Sequence, residues 1–203
     1  ESAIRDFLLA HPEVIREALD PVRQLATKAQ LLRAEILGTD GVPAAGDPLG
    51  AVTVVEFFDY GCGYCKRSAT AVRETIAKSG VRVELRDYPI LGSDSELASR
   101  LALAAGLQGR YTEAHFALME REGGLGPAAA ADLATKLGLD VTRLEEDMQS
   151  AEVSARIEAN RTLGQRLGIR GTPVFLVVGP ETVHVAPGAI DGARIAETIR
   201  AVN

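Results

Sequence analysis

Two cysteines, Cys62 and Cys65, are the whole thiol inventory of this chain, and they stand three apart just beyond a nearly unbroken apolar run, residues 51–58 (AVTVVEFF). The run is rich in β-branched residues and long enough for one strand, the pattern of a strand buried on both faces. The turn Asp59-Tyr60-Gly61-Cys62-Gly63-Tyr64-Cys65 follows, and then a helix to about residue 79. Within that helix Cys65, Ala69, Val72 and Ile76 share one apolar stripe. Cys65 therefore begins the buried face, and Cys62 falls at the helix's N-terminal tip. Next, Val81, Val83 and Leu85 alternate with Arg82, Glu84 and Arg86, which predicts a second strand. Strand, crossover helix and strand require a parallel pair with a right-handed connection.

Residues 93–168 hold no strand-like run, and helices are predicted near 94–107, 111–121, 127–137, 141–149 and 151–167. Residues 174–178 and 182–186 then make a hairpin across Gly179-Pro180-Glu181, and Asp191 caps a last helix carrying Ile195 and Ile199. The chain is thus of the α/β class, with helices inserted between a βαβ half and a ββα half. A length of 203 residues allows one domain of 51–203 and an extension, not two full domains.

That extension, residues 1–37, reads as helix. Residues 4–9 and 13–19 are separated by His11-Pro12, and Asp20-Pro21 is a cap and first-turn proline for a third helix to about residue 37. Ile15, Ala18, Val22, Leu25, Ala29, Leu32 and Ile36 recur three and four apart, the spacing of a coiled-coil seam that Pro21 interrupts. Glycine, proline and small residues make 38–50 a linker with room for one short strand.

A formal net charge of -6 without any basic run disfavours nucleic acid and anionic membranes as partners. No apolar run is long enough to span a bilayer. The chain opens at Glu1 rather than Met, which fits a processed protein exported by a signal peptide that the sequence does not contain.

Two thiols on one helical turn can close a small disulfide ring, and their positions make them unequal. Cys62 meets unpaired backbone N–H groups and the positive end of the macrodipole, and Lys66 and Arg67 add cationic charge nearby; each favours a thiolate. Cys65 faces inward, where burial holds its proton. One reactive and one hidden thiol suit thiol–disulfide exchange. A closed zinc site needs four ligands, and His11, His115 and His184 are scattered, so no metal is expected. Burial of the pair as small core residues is the remaining alternative. Glu56, the only charge in the apolar strand, is either a raised-pKa proton relay to Cys65 or an edge residue reaching solvent.

Together, residues 54–66 (VVEFFDYGCGYCK), 109–115 (GRYTEAH) and 168–175 (GIRGTPVF) resemble the DsbA-like branch of the thioredoxin superfamily, in the right order over about 51–202. The resemblance implies a thioredoxin fold with an inserted helical domain, about 93–168. It implies that Cys62 forms mixed disulfides with clients and Cys65 resolves them. It also implies that Glu56 is the buried acid, that Pro173 is cis beside the pair, and that Gly63, Tyr64 and Thr172 meet an extended client peptide. Strongly oxidising members carry Pro-His where this chain has Gly63-Tyr64. A milder oxidant is therefore expected, nearer about -180 mV than about -120 mV.

The extension is similar to that of the suppressor-of-copper-sensitivity protein C and disulfide isomerase subgroup. This implies a periplasmic isomerase of misfolded disulfide-containing proteins, kept reduced by a membrane reductase and needing no cofactor beyond its own cysteine pair. It further implies a homo-oligomer, a trimer favoured, assembled through Val22, Leu25, Ala29, Leu32 and Ile36; the alternative is that this face folds back on its own domain. A plain dithiol oxidase, a copper(I)-binding module and a glutathione-transferase relative are the competing readings. The last uses serine where this chain has a cysteine pair.

Overall fold

A strand carrying apolar side chains on both faces needs neighbours on both edges and cover above and below, and residues 52–58 receive all four. The computed structural model describes residues 2–38, 41–78, 80–123 and 127–202. Among them, strands β1 (Ala44–Gly46), β2 (Val52–Phe58), β3 (Val81–Asp87), β4 (Val174–Val178) and β5 (Val183–Pro187) form one sheet in the order β1-β3-β2-β4-β5. Strands β2 and β3 are parallel, so that Glu56 lies beside Leu85 and Phe58 beside Asp87. The β2–β4 and β4–β5 pairs are antiparallel. The short strand allowed for in the linker is β1, antiparallel to the edge of β3.

Helices α5 (Gly63–Ile76) and α11 (Gly192–Val202) cover one face of the sheet. The insertion continues that layer with α6 (Ser93–Leu107), α7 (Tyr111–Glu120), α8 (Pro127–Lys136) and α9 (Val141–Met148). Helix α10 (Ala151–Leu167) joins the two sides, placing Val153 and Ile157 in this core and Leu163 and Leu167 in the one behind the sheet. Its ends follow local chemistry. The Ser150 hydroxyl accepts from the Val153 N–H at 3.2 Å, and Gly168 takes the left-handed conformation, φ 85°, that stops the helix.

The extension comprises α1 (Ser2–Ala10), α2 (Pro12–Leu19), α3 (Pro21–Leu31) and α4 (Arg33–Leu37). Asp20 caps α3 as expected, accepting from Val22 N and Arg23 N. The third helix is broken once, at Leu32, although the Ile36 N–H still donates to the Leu32 carbonyl at 2.9 Å.

The expected oligomerisation face is corrected here. Leu25, Ala29 and Ile36 are buried against Val55, Phe57, Leu176 and Val178 of the same chain, and Leu32 packs on the same cluster; Val22 alone stays exposed. The reason is the open back of the sheet, an apolar surface that some layer must cover. Polar contacts fix the cover. Gln30 donates to the Glu181 carbonyl at 3.0 Å and accepts from the Val183 N–H at 2.9 Å, while Arg33 donates to the Gly179 carbonyl at 2.8 Å. The buried Arg86 guanidinium pairs with Glu84 at 3.0 Å and donates to the Ile36 carbonyl at 2.5 Å. Helices α3 and α4 therefore belong to the folded unit. The seam side chains of Ile15 and Ala18, residues 39–40 of the linker, Ser79 at the expected helix end and residues 124–126 of the insertion lie outside the described residues.

Candidate active site

The turn between β2 and α5 is built on one carboxylate. Asp59 is fully buried, and its Oδ1 accepts from the Gly61 N–H at 2.7 Å and the Ser95 hydroxyl at 2.5 Å. Its Oδ2 accepts from the N–H groups of Ile90 and Leu91 at 2.7 and 3.0 Å, and its carbonyl accepts from Cys62 N at 3.0 Å. Such a carboxylate is satisfied on both oxygens and locks the turn to the start of α6. Gly61 is required by closeness: a Cβ there would stand 2.9 Å from the Ser95 hydroxyl.

Cys62 is the N-cap of α5, with φ -83° and ψ 114°, and Cys65 lies inside the first turn. Both thiols are free. Cys65 is wholly buried and Cys62 keeps 8% exposure, less open than a tip position suggested. The exposed neighbours are Gly63 and Tyr64, the latter 58% exposed. Burial pushes the Cys62 thiol up, but hydrogen bonds from Thr172, Cys65 and the backbone of Cys65 and Tyr64 outweigh it and leave the pKa below the ordinary thiol value. Cys65 moves the other way. Burial first, and the nearby Glu56 carboxylate second, hold it well above that value.

The cationic neighbours have other partners. Lys66 donates to the carbonyls of Leu118 and Arg121, and the Arg67 guanidinium stacks 4.2 Å from the Tyr64 ring centroid. Backbone and hydroxyl dipoles, not these charges, set the Cys62 thiolate.

The Thr172-Pro173 peptide is cis, as the resemblance implied. The Cys62 Sγ donates to the Thr172 carbonyl at 3.2 Å, so two segments 110 residues apart meet at the reactive sulfur. Glu56 lies beneath, buried and not at an edge. Burial, then the Cys62 charge, raises its pKa to about 8, and its Oε1 has no hydrogen-bond partner among the described residues. The structure thus gathers Cys62, Cys65, Gly63, Tyr64, Thr172, Pro173 and Glu56 around one helix tip.

Besides Asp59, sequence reasoning missed a buried polar cluster beside this tip. Tyr111 donates to Asp87 Oδ2 at 2.5 Å, and the Tyr60 hydroxyl meets His115 Nδ1 at 3.1 Å. Burial raises Asp87 to about 7 and, with Arg73 adding to it, lowers His115 to about 3. His115 is a core residue as read from its helical face, and His184 is exposed. A usable signal for Asp59 was its place ahead of Gly61, the Asx-turn chemistry of Asp before a tight turn.

Residues 53–200 match the DSBA-like thioredoxin domain. A thioredoxin-like oxidoreductase from Silicibacter pomeroyi DSS-3 has a crystal structure that shares 38% identity and a TM-score of 0.77, over 83% of this chain and 96% of that one. A linker-deletion mutant of Proteus mirabilis ScsC reaches a TM-score of 0.81 at 23% identity, over 98% of this chain and 91% of that one, so the fold likeness extends through the N-terminal helices. The thiol:disulfide interchange protein DsbA of Burkholderia cepacia is 27% identical over 152 residues, 70% of this chain and 72% of that protein. The Na(+)/H(+) antiporter NhaA 1 of Salinispora arenicola is 34% identical over 131 residues, 63% of this chain, and the match spans only 20% of that longer protein. Since the family match takes in β2, the cysteine helix, the insertion and the Thr172-Pro173 loop together, this chain belongs to the DsbA-like thioredoxin-domain family.

Proposed function

We propose that the protein is a thiol–disulfide oxidoreductase acting on exported, periplasmic proteins, and within that class a disulfide isomerase. The observation that carries the reading is the opposed pair at the tip of α5: Cys62 held toward thiolate by donors from Thr172 and the helix backbone, Cys65 held as thiol by burial. The Cys62 thiolate attacks one sulfur of a client disulfide, forming a mixed disulfide and releasing the other client sulfur as thiolate. In isomerisation that thiolate attacks a second client disulfide, bonding to one of its sulfurs and releasing the other as thiolate, which attacks the client sulfur of the mixed disulfide and expels Cys62 as thiolate. If it does not, Cys65 gives up its proton and attacks the Cys62 sulfur. The client leaves as a thiolate, reduced, while the protein closes its own disulfide. Glu56 is the base that takes that proton: with its pKa raised to about 8 it is ionised in part near neutral pH, while burial still holds Cys65 as a thiol. Gly63, Tyr64, Thr172 and Pro173 form the surface the client meets, and no cofactor takes part.

A membrane reductase would keep the pair reduced for isomerase work. The oligomer, a trimer favoured, then rests on α1 and α2, whose Ile4, Phe7, Leu9 and Val14 are exposed, and not on the buried seam of α3. Light scattering of the whole chain against one starting at Pro21 tests it, with equal monomer masses ending the oligomer reading. Refolding of scrambled ribonuclease by the reduced protein tests the function. Activity lost in Cys62→Ser supports the enzyme; tight copper(I) binding without that activity supports the metal-binding alternative. Equilibration with glutathione settles the poise, and a potential above about -130 mV would remove the isomerase assignment.

A further inference from the structure

A cavity of about 560 Å³ opens between α3 and the loop that leads into β4. That size lies within the range of built ligand sites, roughly 300–1,000 Å³. Thr172, whose carbonyl accepts from the Cys62 thiol at 3.2 Å, is one of its lining residues. Pro187, at the end of β5, forms another side. The outer wall comes from the N-terminal extension: Val22, Leu25 and Lys28 all line the space. A helix already needed to cover the sheet therefore also shapes whatever enters beside the reactive sulfur.

The charge of this cavity is opposite to that of the molecule. The whole chain carries -6, yet the charged residues of the lining are Lys28 and Arg170, with no Asp or Glu among them. Both cations are exposed. The Lys28 ammonium is placed over the turn that ends α10, since a Cβ on Gly168 would stand 3.1 Å from its Nζ. Cations there meet the negative end of the α10 macrodipole, which orients the ammonium at the cavity wall.

Resting on the thiol-exchange reading, we propose that this channel seats the chain segment flanking a client's reactive cysteine, and that Lys28 and Arg170 select segments bearing carboxylate side chains. A peptide joined to Cys62 through its sulfur passes Thr172 first, and an extended strand continued from there runs into the channel. Val22, Leu25 and Pro187 provide apolar contact, which is indifferent to charge. The two cations provide discrimination, favouring Asp or Glu and opposing Lys or Arg a few residues from the cysteine.

The test uses short synthetic peptides with one cysteine as its 2-pyridyl mixed disulfide, alike except for two flanking residues that are Glu, Gln or Lys. Attack by Cys62 on the peptide sulfur forms the protein–peptide disulfide and releases the neutral pyridine thione, which is read by absorbance. Each rate is divided by the rate of the same protein on 2-hydroxyethyl 2-pyridyl disulfide, which has no flanking residues. The expected Glu-over-Lys ratio for the wild type is about tenfold, equivalent to about 1.4 kcal/mol. It collapses toward one in roughly 1 M salt, where screening reaches about 3 Å. Lys28→Gln with Arg170→Gln removes the ratio, and Lys28→Glu with Arg170→Glu inverts it. A wild-type ratio of one, a ratio that survives high salt, or a ratio unchanged in both double variants overturns the proposal. No reaction with the small disulfide overturns the thiol-exchange reading itself, and the channel proposal with it.

Discussion

The thiol of Cys62 donates to the carbonyl of Thr172 at 3.2 Å, and the Thr172 side chain supplies one of the hydrogen bonds that favour the thiolate. One residue thus serves both protonation states of the sulfur. When the proton leaves, the carbonyl loses its donor while the hydroxyl gains an acceptor. The helix tip and the loop from the far half of the chain are chemically a single element.

Alkylation should separate the two thiols. With iodoacetamide near neutral pH, Cys62 is expected to react at least about tenfold faster than Cys65, since each unit of pKa changes the thiolate fraction about tenfold. Peptide mass mapping against time reads this directly, and equal rates would contradict the opposed pKa directions.

Glu56→Gln should change how stability depends on pH. The folded chain holds the Glu56 proton up to about 8 and the unfolded chain only to 4.5, so the folded state binds more protons between these values. Unfolding free energy therefore falls as pH rises through that window. The variant lacks this contribution and should gain, near the upper end relative to the lower, on the order of a few kcal/mol at about 1.4 kcal/mol per unit. Urea unfolding at the two ends of the window checks it; parallel curves for both proteins would show that Glu56 ionises as it would in water.

His115 acts with the opposite sign. Its folded pKa of about 3 lies below the ordinary 6.5, so the unfolded chain binds the proton first and stability is lost as pH falls from 6.5 toward 3. His115→Gln should flatten this acid limb, followed by near-ultraviolet circular dichroism during acid titration. An unchanged acid midpoint would assign acid unfolding to other groups.

Removing the Asp59 carboxylate should be costly out of proportion to its size. Asp59→Ala strands the donors of Gly61, Ser95, Ile90 and Leu91. At roughly 1–3 kcal/mol for each buried group left unsatisfied, a loss above about 3 kcal/mol is expected in denaturant unfolding. A loss under about 1 kcal/mol would mean the turn finds other acceptors.

The extension divides by the same measurement. A chain starting at Asp20, which keeps the cap of α3, should keep the unfolding midpoint of the whole protein. A chain starting at Gly41 uncovers Val55, Phe57 and Leu176 and removes the Ile36 carbonyl from Arg86. Ile36→Ala alone should cost about 2–5 kcal/mol, the range for truncating a buried large side chain.

Much of this was legible in the residues. The run at 51–58 could only be an interior strand, and it sits at the centre of the sheet; the alternation at 81–86 gave its parallel partner. The placing of Cys62 at a cap and Cys65 inside the turn followed from the stripe through Ala69 and Val72. What sequence periodicity left open was which surface an apolar stripe meets. Leu25, Ala29 and Ile36 have the spacing of an intermolecular seam, and the same spacing fits the back of a sheet. Nor could spacing show where a flexible cation ends: Lys66 is close to Cys62 in sequence, but its ammonium donates to the carbonyls of Leu118 and Arg121 where α7 stops. Asp59 and Asp87 gain their settings from chain segments far away, which no local window contains.

Helix α3 has Leu25 and Ala29 in the core, Leu25 also reaching the channel, and Val22 and Lys28 exposed at the channel beside the reactive loop. Inheritance must treat these two halves differently. Replacements at 25 and 29 are restrained by the interior volume they fill, whereas 22 and 28 carry no such restraint. The surface beside the Thr172 loop can therefore change, without loss of architecture, through a few outward positions on a single helix.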